Sequence, residues 1–139
     1  VQRCPRPILA IPGGAETAMD RVLLAYDGSP KADEALFVAT YLATRWPLSL
    51  TVVTVETEYT AAEALQNARQ YLESHGVMDA TYVLRQAPIA TAVLQTAVEY
   101  DINFLIVGGF GFRPMMHFML GSTVDEVLRR FKHPILICR

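Results

Sequence analysis

Gly108, Gly111, Gly121 and Ser122 follow the spacing G-x2-G-x9-G-[ST]. Gly108 and Gly111 frame a tight turn after the apolar run Ile102 to Val107, where glycine accepts positive φ and close backbone approach at no steric cost. Gly121, Ser122 and Thr123 then supply amides and two hydroxyls just ahead of a short helix expected over Asp125 to Phe131. Convergent amides at a positive helix end form a cradle for an anion, phosphate above all. The P-loop pattern is absent, because no Lys follows its last glycine. The dinucleotide fingerprint fails too, because Pro114 stands where a third glycine is required. A plainer reading competes: the glycines only make turns and Ser122 or Thr123 only caps a helix, Thr123 with Glu126 matching a capping box.

The elements that must position these residues alternate regularly. Arg21 to Tyr26 is an apolar run of strand length. Asp27-Gly28-Ser29-Pro30 follows as a turn and helix start, with Ser29 as N-cap and Pro30 at the first helical position. Leu36, Ala39 and Ala43 carry a helix from Ala32 to Thr44, ended by Pro47. Ser49 to Val55 is the most β-prone run. A second helix spans Tyr59 to Ser74 and ends at Gly76. A strand over Thr81 to Leu84, a helix over Pro88 to Tyr100, the strand before Gly108, the last helix and a strand over Ile135 to Ile137 complete the order. Alternation of this kind predicts parallel strands with crossover helices on both faces. Ligands then bind beyond the carboxyl ends of strands where strand order reverses. If the strands ending at Asp27 and Gly108 are neighbours, a carboxylate for ribose hydroxyls and a glycine loop for phosphates face one crevice.

Composition narrows the partners. The 139 residues suffice for one domain with a real core, 52% are hydrophobic and 19% charged, so the chain folds rather than staying disordered. A net charge of −2 with no basic stripe argues against nucleic acid. No apolar run reaches the length of a membrane span and no signal peptide is visible. Cys4 and Cys138 show neither CxxC spacing nor a His/Cys cluster, so no metal site is indicated, and such sparse usage fits a reducing cytoplasm.

The first residues stand apart. Arg6-Pro7-Ile8-Leu9-Ala10-Ile11 echoes His133-Pro134-Ile135-Leu136-Ile137-Cys138, and Met19-Asp20-Arg21 reads as a natural beginning. Residues 1–18 are therefore expected to be the last strand of a preceding, similar repeat plus a linker, and residues 19–139 the domain proper. An unrelated N-terminal extension is the alternative.

Three stretches resemble the universal stress protein family in its ATP-binding branch, across Asp20 to Arg139. They are the opening strand with its Asp27-Gly28-Ser29 turn, the glycine spacing above, and the closing run from Gly121 to Arg139. The resemblance implies a Rossmann-like, adenine nucleotide alpha hydrolase-like α/β fold with an open five-stranded parallel sheet and helices on both faces. It implies ATP, with Mg²⁺, at the strand ends, and a homodimer or a pseudo-dimer with a tandem domain, joined through the last strands. Position by position, Asp27 sits by the ribose and Val55 beside the adenine. Gly108, Phe110 and Gly111 form one phosphate wall; Gly121, Ser122 and Thr123 form the other. The chain departs from the family at Phe110, where a small polar residue or histidine is common, and at Phe112, where a basic residue is common.

Nothing in the sequence supplies fast chemistry. No His stands near a candidate nucleophile, no carboxylate pair is evident and no Lys follows the glycine loop. The expected role is a stress-response regulatory module that holds and senses ATP. A non-nucleotide interaction or dimerisation domain, its pocket filled by Phe110 and Phe112, is the alternative of another class; a slow ATPase is the third.

Overall fold

The computed structural model describes residues 6–15, 18–109 and 117–138. Its elements are β1 (Ile8–Ala10), β2 (Arg21–Ala25), α1 (Pro30–Arg45), β3 (Ser49–Glu56), α2 (Glu63–Ser74), β4 (Thr81–Gln86), α3 (Ile89–Glu99), β5 (Phe104–Gly108), α4 (His117–Arg130) and β6 (Ile135–Cys138). They build one six-stranded sheet in the order β1-β6-β5-β2-β3-β4.

Strands β2 to β6 are mutually parallel, as the alternation of strands and helices predicts. The α/β class with helices on both faces holds, but the sheet has a sixth strand. β1 adds to β6 antiparallel, with Leu9 opposite Leu136. Residues 19–139 thus form the expected five-stranded parallel sheet, β1 from the segment 1–18 adds a sixth strand, and β6 is not an open edge. A short apolar strand there satisfies backbone groups that β6 would otherwise expose.

The buried strands read as continuous apolar runs because both their faces are covered. Val22, Leu24, Val52, Phe104 and Ile106 face α1 and α2, packing against Ala35, Leu36, Ala68 and Leu72. Leu23, Val53, Leu105, Ile135 and Ile137 turn the other way, toward Val93, Ala97, Val127 and Phe131 of the α3–α4 side.

Two helices differ from expectation. α2 starts at Glu63 rather than Tyr59, because Thr57 makes a side-chain turn in which its Oγ1 accepts the N–H groups of Tyr59 and Thr60, both at 3.1 Å. Local bonds of this kind compete with the helix ladder. α4 starts at His117, not Asp125. Met, Phe and Leu sustain a helix well, and one glycine at position 121 weakens it by about 1 kcal/mol without ending it.

The amino end of the sheet is locked by Asn103, which is 1% exposed. Its Oδ1 accepts from the Arg21 N–H at 2.9 Å and its Nδ2 donates to Asp20 Oδ1 at 2.8 Å. The Asn103 N–H in turn donates to the Arg21 carbonyl at 3.0 Å. These bonds fix where β2 begins relative to β5, and that register sets which residues meet at the opposite, carboxyl end. The Asn103 bond is also the main cause that holds the Asp20 carboxyl below the usual carboxylate range.

Candidate functional site

β2 runs outward in one direction to β3 and β4, then the chain returns to place β5 on its other side. The order reverses between β2 and β5, where Ala25 lies opposite Val107. The carboxyl ends of these strands are thus neighbours, and Asp27 and Gly108 border one crevice. This is where open parallel sheets bind ligands.

Asp27 is exposed, and its Oδ1 accepts the Ser29 N–H at 2.9 Å. That bond shapes the turn while leaving the other carboxylate oxygen for a ligand. Gly28 has φ +77°, a conformation that disfavours any side chain. Ser29 caps α1 as predicted: its Oγ accepts the Ala32 N–H at 3.2 Å, and Pro30 opens the helix.

Gly108 ends β5 beside α1. A Cβ built on it would stand 2.8 Å from both the Ala32 nitrogen and the Lys31 carbonyl carbon. The glycine is therefore required by a strand packed directly on a helix backbone. The next residue, Gly109, donates its N–H to the Cys138 carbonyl, which extends the β5–β6 ladder to the crevice.

Val55 sits two residues beyond Val53, the partner of Ala25, so it lies level with Asp27 on the next strand. It is buried on the α3–α4 face among Val53, Val83 and Ala90. Asp27, Val55 and Gly108 are thus brought to one end of three adjacent strands. Phe110 and Gly111 lie outside the described residues.

Gly121, Ser122 and Thr123 lie inside α4, a full turn past its first residue. The expected helix start is therefore not at these positions, and Thr123 does not stand at the helix N-terminus that its capping-box pattern with Glu126 predicts. Glu126 instead pairs with Arg130 one turn later, at 2.7 Å. The cause is the helix propensity of the preceding apolar segment, which outweighs the local capping signal.

One pair escaped the sequence reading. The Tyr26 hydroxyl donates to Asp33 Oδ1 at 2.7 Å, tying the end of β2 to the first turn of α1. Burial, and next the bond to Asp33, raise the Tyr26 pKa well above the usual phenol value, so the hydroxyl stays a donor. Asp33 stands in the first turn of α1, where a negative charge suits the helix end, but its bond across the turn depends on how α1 docks. A second pair, Gln86 Nε2 to Glu56 Oε2 at 2.8 Å, joins the ends of β4 and β3.

Among the described residues no group of three His, Cys, Asp or Glu side chains is arranged to hold a metal ion. No helix among the described residues is long and apolar enough to cross a membrane. Cys138 is a buried free thiol, its pKa pushed up to about 11 by burial and, less, by Glu34.

Comparisons with known proteins agree with this architecture. Universal stress protein Slr1230 of Synechocystis is 28% identical over 143 residues, covering 100% of this chain and 49% of that protein. The chain thus spans about half the length of this curated relative. A universal stress protein of Archaeoglobus fulgidus superposes with a TM-score of 0.79 at 24% identity, covering 96% of this chain and 49% of that one. A universal stress protein solved in complex with cAMP gives 0.69 at 23%, covering 88% of this chain and 98% of that one. An Arabidopsis thaliana family protein solved with AMP bound gives 0.64 at 13%, covering 85% and 90%. These likenesses establish the fold. The description of the universal stress protein family matches residues 54–139, more than half of the chain, and the chain belongs to that family.

Proposed function

We propose that this chain is a cytoplasmic regulatory module that binds an adenine nucleotide, ATP with Mg²⁺ in the first instance, in the crevice between β2 and β5. The observation that carries the reading is the meeting of Asp27 and Gly108 at the point where strand order reverses. Two fold relatives hold cAMP and AMP, which supports an adenine nucleotide as the ligand class. In this reading Asp27 accepts hydrogen bonds from ribose hydroxyls and Val55 lies beside the base. Gly108, Phe110 and Gly111 line the phosphates on one side. Gly121, Ser122 and Thr123 flank them from α4, with Ser122 and Thr123 contributing hydroxyls rather than free amides.

Nucleotide occupancy acts on assembly through β6, in a homodimer or with a tandem domain of the same fold. Residues 1–18 are read as the last strand of such a preceding domain with its linker, and residues 19–139 as the stress protein domain. The length of the Slr1230 relative, about twice that of this chain, supports this arrangement.

One observation favours a second reading, an interaction domain that takes no nucleotide: residues 121–123 sit within α4 and leave a single glycine loop for phosphate. Calorimetric titration of ATP with Mg²⁺, AMP and cAMP into the whole chain decides between them. Saturable binding that Asp27→Ala weakens at least tenfold, a loss of about 1.4 kcal/mol, supports the nucleotide site. No heat from any nucleotide with folded protein leaves the interaction domain. Steady phosphate release that Asp27→Ala abolishes would instead add slow ATP hydrolysis.

A further inference from the structure

α1 and α2 cover the same face of the sheet, yet their outward faces differ. α2 turns Gln66, Asn67, Arg69 and Gln70 to solvent, as a helix with nothing over it does. α1 buries Ala32, Ala35, Leu36, Ala39 and Thr40 and turns Phe37 and Tyr41 outward, 62% and 49% exposed. Four residues apart, these two side chains are neighbours on one stripe. Trp46, the C-cap of α1 and the only tryptophan in the chain, extends it: its ring is 6.1 Å from that of Tyr41, edge to face, and it is 54% exposed. Single exposed apolar residues are ordinary, but three large aromatic side chains in succession along a helix mark a contact surface.

Charge closes both ends of the stripe. Glu34 lies one turn before Phe37 and Arg45 one turn after Tyr41, so the order is acid, two aromatics, base. Arg45 makes no ion pair among the described residues; its guanidinium rests over the Tyr41 ring, 5.3 Å from the centroid. Glu34 engages Lys31 through Oε1 at 3.0 Å, with its side chain 47% exposed. A surface ordered in this way is complementary to its own image turned end for end.

We propose that the Glu34–Arg45 stripe of α1 is a self-association surface that takes the same stripe of a second copy of this chain, antiparallel to it. A twofold axis level with residue 39 sets Phe37 against the partner subunit's Tyr41, and Tyr41 against the partner subunit's Phe37. Arg45 then meets the turn that carries the partner subunit's Glu34, and Glu34 meets the partner subunit's Arg45 in return. Ion pairs flank the aromatic centre on both sides, and antiparallel helix dipoles attract. A parallel arrangement would set like charges together at each end, so charge selects the antiparallel one. The surface uses no residue of β6 and none assigned to the nucleotide.

The test is a dilution series of the full chain, followed by Trp46 emission and by sedimentation velocity. Association covers the exposed indole, so emission is expected to move to shorter wavelength as the dimer forms. Phe37→Ala is expected to raise the dissociation constant by about thirtyfold, the effect of removing a central aromatic contact. Arg45→Glu and Glu34→Lys each set like charges together at both ends, and each is expected to sediment as a monomer. Mixed in equal amounts, these two variants are expected to dimerise with each other, because each chain restores both ion pairs of the other. All three substitutions are at exposed positions, and circular dichroism checks that the fold is kept. A wild type that stays monomeric throughout overturns the proposal and leaves the stripe to a different protein. A wild-type dimer that Phe37→Ala and Arg45→Glu leave unchanged overturns it too, and moves the contact to another surface such as the β6 edge. Charge variants that stay monomeric when mixed overturn it as well, since loss alone would follow from any disturbance of α1.

Discussion

Gly108 and Ala32 meet backbone to backbone: a methyl group on Gly108 would stand 2.8 Å from the Ala32 nitrogen. β5 thereby packs on the first turn of α1 with no side chain between them. The Gly108→Ala variant must push α1 off the sheet or bend the end of β5. Overpacking of this kind costs about 1–3 kcal/mol, which urea denaturation would measure as a lower midpoint at unchanged slope. Nucleotide affinity is expected to fall with it, since the same displacement moves Asp27 relative to the glycine loop.

Tyr26→Phe removes the hydroxyl that donates to Asp33 at 2.7 Å. A hydrogen bond to a charged group contributes about 1.5–3 kcal/mol, less where water replaces the lost partner, so a loss of about 1–2 kcal/mol is expected in chemical denaturation. Asp33→Asn, which keeps an acceptor oxygen, should lose less than Tyr26→Phe. An equal or larger loss would mean that the helix-end charge, not the hydrogen bond, is what matters.

Asn103→Ala deletes both the acceptor for the Arg21 N–H and the donor to Asp20. An unpaired buried amide costs about 1–3 kcal/mol, and the small cavity adds to it. The expected signature is a lowered melting temperature, with hydrogen exchange accelerated first at the amino ends of β2 and β5. A uniform acceleration across the sheet would contradict the local role assigned to Asn103.

Burial, and less the Glu34 charge, pushes the Cys138 thiol up to about 11 in the fold, where the thiolate is disfavoured. The folded state therefore holds this proton more tightly than the unfolded chain does. Its contribution to stability is complete below pH 9 and is lost as pH rises through about 11. Cys138→Ala should show a shallower fall in stability than the wild type across that alkaline window. Folded wild-type protein should also leave Cys138 unmodified by thiol reagents at neutral pH. Identical alkaline slopes in the two proteins would contradict this assignment.

The parallel order, the Ser29 cap with Pro30, and the meeting of Asp27 with Gly108 were legible because each rests on local chemistry or on topology that apolar periodicity dictates. Strand length, turn residues and the alternation of periods are written along the chain. The docking of α1 is not. Gly108 reads as a turn glycine until its distance to Ala32 shows a packing constraint, and Tyr26 and Asp33 are seven residues apart with no periodic signal linking them. α4 shows the converse, since a local capping pattern at Thr123 was overridden by the helix propensity of the residues before it. The echo between Pro7-Ile8-Leu9 and Pro134-Ile135-Leu136 was visible in sequence as two like strands, but their antiparallel register was not. Antiparallel pairing centred on Leu9 and Leu136 exists only once the chain has folded, because a sheet edge is defined by which neighbour is missing, and no single strand's sequence records that.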